Sequence, residues 1–139
     1  MREVTEASAL HGTLRLMEQW RFSARVVSGS GRGKTLGVPT LNMDLRDVPA
    51  DLLGGVFAAW VTSDGKRSPS ALYHGPRPTF GDTRSCEAHL IDTVIPSPPE
   101  IVDVEIVEFL RGVSTYPSAE ALSKQMMDDI QKARDILGT

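Results

Sequence analysis

Hydrophobic positions along the chain fall into two periods. Between residues 3 and 20, Val4, Ala7, Leu10, His11, Leu14 and Met17 recur three or four apart up to Trp20, the spacing of an amphipathic helix. Gly12 lies inside it and costs about 1 kcal/mol relative to Ala, so this helix needs a packed partner. Residues 1–20 are accordingly expected to form a helical lead-in to the main fold. From Phe22 the period shortens. β-branched and aromatic runs over 22–28, 54–62, 70–74, 86–93 and 101–111, separated by turn residues, predict strands. Ser63-Asp64-Gly65-Lys66 carries the Asp-Gly signal of a tight hairpin turn. Alternation along 86–93 puts Cys86, Ala88 and Leu90 on one face and Glu87, His89 and Ile91 on the other. In the last run it slips at Ile106-Val107, which predicts a bulge.

The helical period returns at the C-terminus. Leu122, Met126, Ile130, Ala133 and Leu137 form one apolar stripe. Ser118 is a good N-cap, Glu120 sits where the helix dipole favours an acid, Lys132 and Arg134 lie near the other end, and Gly138 is placed to stop the helix. Short strands followed by one helix predict a mainly β domain over 21–139, a barrel or sandwich with the helix lying on it. Pro96-Ser97-Pro98-Pro99 reads as a stiff loop within that domain.

Composition narrows the class. The chain has 139 residues, 40% hydrophobic and 24% charged, as expected of one globular domain. A chain of this size buries roughly two thirds of its unfolded surface and can hold a core without disulfides. The single cysteine, Cys86, excludes a disulfide framework within the chain and a thiolate zinc cluster. No apolar run approaches the ~20 residues that span a bilayer, so no membrane contact and a cytoplasmic location are expected. A net charge of −3 and 6% aromatic residues weigh against a nucleic-acid-binding barrel, so any anion site must be local.

Such a site has a candidate. Gly29-Ser30-Gly31-Arg32-Gly33-Lys34-Thr35-Leu36-Gly37 combines four glycines with an arginine and a lysine, so that backbone N–H groups and cations can approach a phosphate together. The Walker spacing is absent, because Ser28 stands where its first glycine would be, and a plain loop of this composition is the commoner case. Pro39-Thr40-Leu41-Asn42 follows. Its proline fixes the backbone ahead of two side-chain oxygens that share a strand face, a pair suited to a hard metal ion carrying phosphates or to a simple turn and strand start. Glu87, within an apolar run, either faces solvent or is placed to take a proton from a substrate hydroxyl. His74 and His89, without a ligand cluster, read as hydrogen-bonded structural residues. Arg111 before Gly112 is a solvated strand end or a reach toward a phosphate or ring face.

Together these segments resemble the riboflavin kinase (flavokinase) family, which also forms the C-terminal half of bacterial bifunctional FAD synthetases. The resemblance rests on the ordered series Arg25-Val26-Val27-Ser28-Gly29, GRGKTLGVPTLN, Leu53-Gly54-Gly55-Val56-Phe57-Ala58, Gly75-Pro76-Arg77-Pro78-Thr79-Phe80, and Cys86-Glu87-Ala88-His89-Leu90-Ile91-Asp92. Phe109-Leu110-Arg111 and the closing helix complete it. It implies a six-stranded antiparallel Greek-key β-barrel with the C-terminal helix packed on it. It implies transfer of the ATP γ-phosphoryl group to the 5′-hydroxyl of riboflavin, giving FMN and ADP. In family terms Thr40 and Asn42 hold Mg²⁺ and the nucleotide phosphates, Gly29, Gly31 and Lys34 line the ATP site, Glu87 is the catalytic base, and Arg111 lies on the flavin side. The implied partner for FAD formation is an adenylyltransferase domain or protein. One departure stands out: Pro96-Ser97-Pro98-Pro99 replaces the Tyr-Gly pair usual after the catalytic strand, which suggests as an alternative a flavin-binding module with weakened catalysis.

Overall fold

The computed structural model describes residues 20–27, 38–76 and 84–138. The helix expected over residues 3–20 lies, but for Trp20, outside them, as does the glycine-rich segment with Gly29, Gly31 and Lys34.

Six strands carry the fold: β1 (Arg21–Val27), β2 (Thr40–Met43), β3 (Gly55–Ser63), β4 (Lys66–Pro76), β5 (Arg84–Leu90) and β6 (Ile101–Arg111). They close into a barrel in the order β1-β2-β5-β4-β3-β6, every pair antiparallel. β3, β4 and β5 form a meander and β2 returns beside β5, which is the Greek-key connection. Among the described residues one α-helix, α1 (Ala119–Leu137), packs on the outside against β3, β4 and β6.

The strand period sorts the side chains into two apolar layers. Leu41, Phe57, Ala59, Val61, Leu72, Cys86, Ala88, Leu90, Val102, Val104 and Ile106 fill the interior. Trp20 joins them at the barrel entrance, its ring edge-on to Phe57 at 5.4 Å, and Phe109 meets Phe57 at 5.5 Å. The second layer lies outside, where Val56, Ala58, Ala71 and Ile91 pack against Ile130 and Ala133 of α1. β3 is therefore buried on both faces. That is why Val56–Val61 reads as a continuous apolar run instead of an alternating one.

Turn and cap chemistry agree with the sequence. Ser63 pairs with Lys66 across a two-residue loop in which Asp64 (φ 50°) and Gly65 (φ 80°) both take positive φ. Ser118 Oγ accepts from the Ala121 N–H at 3.0 Å, and Gly138, in the left-handed region, donates its N–H to the Arg134 carbonyl at 3.0 Å. The slip at Ile106-Val107 is a bulge: Ala58 pairs with Glu108 and Ala59 with Ile106, leaving Val107 extra. A second shift, between Val56 opposite Arg111 and Phe57 opposite Phe109, leaves Leu110 extra.

Strand limits differ from the expected ones for identifiable reasons. β4 extends beyond 70–74 at both ends, forward to Pro76 and back through the buried Ser68 and then Arg67 to Lys66, residues whose polarity hides the strand. Ser70 is satisfied by donating to the Ala59 carbonyl at 3.1 Å. β5 starts two residues earlier and stops at Leu90, because the chain turns at Asp92 with φ 52°. β2 is only four residues long and carries no periodic signal of its own.

Candidate active site

Leu41 and Ala88 point into the barrel, so their neighbours Thr40, Asn42, Glu87 and His89 point out. The registers align the outward residues in transverse rows, since directly opposite side chains share a face. One row runs Arg111–Val56–Tyr73–Glu87–Asn42–Val27, across β6, β3, β4, β5, β2 and β1. The adjacent row runs Ala58–Ala71–His89–Thr40. The two alanines keep the wall beside Glu87 low, and a groove opens there between the barrel and α1, lined by Val56, Ala71, Tyr73, Tyr116 and Met126. On the other side of Glu87 lies a polar groove bordered by Asn42, Asp44, Arg46, Arg84 and Ser85.

Glu87 is fully buried and its Oε2 accepts from Ser85 Oγ at 2.9 Å. Asn42, opposite it, is 8% exposed, and its Oδ1 accepts no hydrogen bond among the described residues. A buried amide oxygen left this way costs stability unless a ligand takes it up. Thr40 Oγ1 lies 3.1 Å from His89 Nδ1. Among the described residues no three His, Cys, Asp or Glu side chains converge on a point that could hold a metal.

At the far end of the row Arg111 is clamped. Its Nε and Nη2 donate to the two carboxylate oxygens of Asp129, both at 2.8 Å, and Nη1 donates to the Gly112 carbonyl at 3.0 Å. The hydrogen bonds from Arg111 to Asp129 raise the arginine's pKa further, and the Tyr116 ring lies 5.8 Å from its guanidinium carbon. Gln125 also donates to Asp129, at 3.1 Å. Beside the polar groove Arg46 pairs with Asp44, and Arg25 with Asp47, whose carboxyl it holds down to about 2. Cys86 is buried in the barrel, and burial pushes its thiol up to about 12, so it is an inert core residue. His74 is likewise structural: Arg84 donates to its Nε2 at 2.6 Å, which leaves Nδ1 to donate to the Leu53 carbonyl at 3.1 Å.

The structure thus brings Thr40, Asn42 and Glu87 together and puts Arg111 on the same face, across the apolar groove. Gly29, Gly31 and Lys34 fall outside the described residues. Sequence reading passed over Ser85, Tyr73 and Asp129. Ser85 was findable, since strand period puts it on the face of Glu87. So was Asp129, a carboxylate within the apolar side of a helix, which demands a buried cation. The segment after Asp92, where the family pattern fails, packs elsewhere. Thr93, Val94, Ile95, Pro96, Ser97 and Pro99 border a groove with Ser63 and Lys66 at the hairpin, roughly 20 Å along β3 from the Glu87 row.

A closed six-stranded barrel with a buried outward carboxylate between a polar and an apolar groove has the form of a small-molecule site. A profile of the Flavokinase family, described as riboflavin kinase, matches residues 16–137. The chain is 32% identical to riboflavin kinase of Homo sapiens over 117 residues, 79% of this chain and 76% of that protein. It is 31% identical to the bifunctional riboflavin kinase/FMN adenylyltransferase of Escherichia coli over 119 residues, 84% of this chain and 38% of that one. Among solved structures, riboflavin kinase from Trypanosoma brucei superposes with a TM-score of 0.56 at 20% identity, covering 86% and 80% of the two chains. A Streptococcus pneumoniae structure titled a macrolide-efflux protein superposes at 0.69 with 26% identity, over 82% of this chain and 38% of that one. The chain belongs to the riboflavin kinase family.

Proposed function

We propose that this chain transfers the γ-phosphoryl group of ATP to the 5′-hydroxyl of riboflavin, producing FMN and ADP. The observation that carries this reading is the position of Glu87, buried in one row of outward side chains between a polar groove suited to phosphates and an apolar one suited to a flavin ring.

The polar side takes the nucleotide. Asn42 Oδ1, buried without a hydrogen bond among the described residues, and Thr40 Oγ1 fit a hard cation, so these two residues would hold Mg²⁺. When bound, Mg²⁺ supplies neutralisation of the charge that develops on the transferring phosphoryl oxygens. Gly29, Gly31 and Lys34, by family resemblance, line the triphosphate. On the apolar side Val56, Tyr73 and Met126 offer surfaces for the isoalloxazine, and Arg111 borders them with its guanidinium held in place by Asp129. Glu87 accepts the proton of the 5′-hydroxyl. That oxygen forms a bond to the γ-phosphorus, and the bond from the γ-phosphorus to its bridging oxygen breaks with its electron pair leaving on ADP.

The flavin-binding alternative rests on the segment after Asp92, which borders the opposite end of the barrel, and no observation at the site favours it. By the same reading residues 21–139 are the catalytic domain, 1–20 lead into it, and FMN passes on to an adenylyltransferase domain or protein. That partner is suggested by the bifunctional relatives. A single cysteine, which forms no disulfide within the chain, suits a reducing cytoplasm. The test is chromatographic detection of FMN from riboflavin and MgATP. Wild type should form it, and Glu87→Gln should lower kcat about 10²- to 10⁴-fold. An unaltered rate in the variant removes Glu87 from the mechanism.

A further inference from the structure

We infer that Ser85 is a positioning residue for this reaction, its hydroxyl holding the Glu87 carboxylate in the orientation from which it takes the substrate proton. The inference rests on the reading of Glu87 as the base. Ser85 and Glu87 are two apart on β5 and so share the outer face. Both are buried, at 5% and 0% exposure, and the Oγ to Oε2 distance is 2.9 Å. A serine hydroxyl has one proton to give, and here it goes to the carboxylate.

The surroundings make this contact specific. Opposite Ser85 on β4 is Gly75, which has no side chain to draw the hydroxyl away. Opposite Glu87 is Tyr73, whose own hydroxyl donates to the Pro76 carbonyl. The last torsion of a glutamate is broad and roughly two-fold, so packing alone leaves the carboxylate plane loosely set. A hydroxyl fixed by the rigid strand constrains that plane at Oε2. Because a misplacement of about 1 Å at a reacting group costs as much as 10²-fold in rate, this hydrogen bond belongs to the chemistry as well as to the fold.

The experiment measures kcat and both KM values for wild type, Ser85→Ala, Ser85→Thr, Glu87→Gln and the Ser85→Ala/Glu87→Gln double variant, with thermal melts as a folding check. Ser85→Ala should lower kcat roughly 10- to 100-fold and leave the KM values for riboflavin and MgATP nearly unchanged. Ser85→Thr, which keeps the hydroxyl, should recover most of the rate. The double variant should be no slower than Glu87→Gln, because a residue acting only through another has nothing further to lose once that partner is gone. Should Ser85→Ala fail to fold, Ser85→Cys takes its place, filling the same volume with a weak donor. A full-rate Ser85→Ala, or losses that multiply in the double variant, overturns the inference while leaving Glu87 as the base. A full-rate Glu87→Gln overturns both.

Discussion

At the scale of single residues, charge and burial decide what each group does. Asn42→Ala removes the buried oxygen that accepts no hydrogen bond among the described residues. It should raise the KM for MgATP several-fold and leave riboflavin binding nearly unchanged, as separate titrations of the two ligands will show. His74 gives a pH prediction. Burial lowers its pKa from the ordinary 6.5, helped by the neighbouring Arg84 charge. The unfolded chain therefore takes up this proton before the folded one does, and stability is lost as pH falls below 6.5 toward the lowered value. Melting temperatures between pH 8 and pH 5.5 should fall in wild type and fall less steeply in His74→Gln, from a lower starting point. Much at this scale was legible beforehand. Thr40, Asn42 and Glu87 were chosen from residue type and motif, and alternation alone put Glu87 opposite the Leu90 face. Ser85 was not chosen, although its place two residues before Glu87 on one strand put it on the same face.

At the scale of elements, α1 depends on one polar clasp as well as on its apolar stripe. Arg111 and Asp129 are 19% and 4% exposed and bound through two hydrogen bonds, which ties the end of β6 to the middle of the helix. Arg111→Ala strands a buried carboxylate with only Gln125 to meet it, and should cost about 3–5 kcal/mol in urea denaturation. Arg111→Met combined with Asp129→Leu should recover most of that loss. β3 is equally constrained at its start, where a Cβ on Gly55 would lie 2.4 Å from the Arg111 carbonyl oxygen. The elements most legible in sequence were those with their own local signals: the capped helix, the Asp-Gly hairpin and the bulge at Val107. The polar start of β4 was hidden, since Ser68 is buried by pairing and not by hydrophobicity, and β2 showed only as a strand start after Pro39, four residues being too few to show a period.

At the scale of the whole molecule, the barrel encloses Cys86, whose raised pKa and complete burial keep it protonated. A thiol reagent should label it at the rate of global opening, so labelling in rising urea should track the unfolding transition monitored by tryptophan fluorescence. Labelling well ahead of that transition would show that β5 opens separately. The barrel interior was anticipated from sequence, but the order of its strands was not, because registers across β2, β4 and β5 are set by pairings that no local pattern encodes. Those registers also divide labour by parity. Along β5, Cys86, Ala88 and Leu90 hold the core while Ser85 and His89 border the grooves and Glu87 lies buried between them. Substitutions at one set of alternate codons therefore reach the candidate site directly while leaving the barrel interior untouched, so a single seven-residue strand carries two separately heritable sets of contacts.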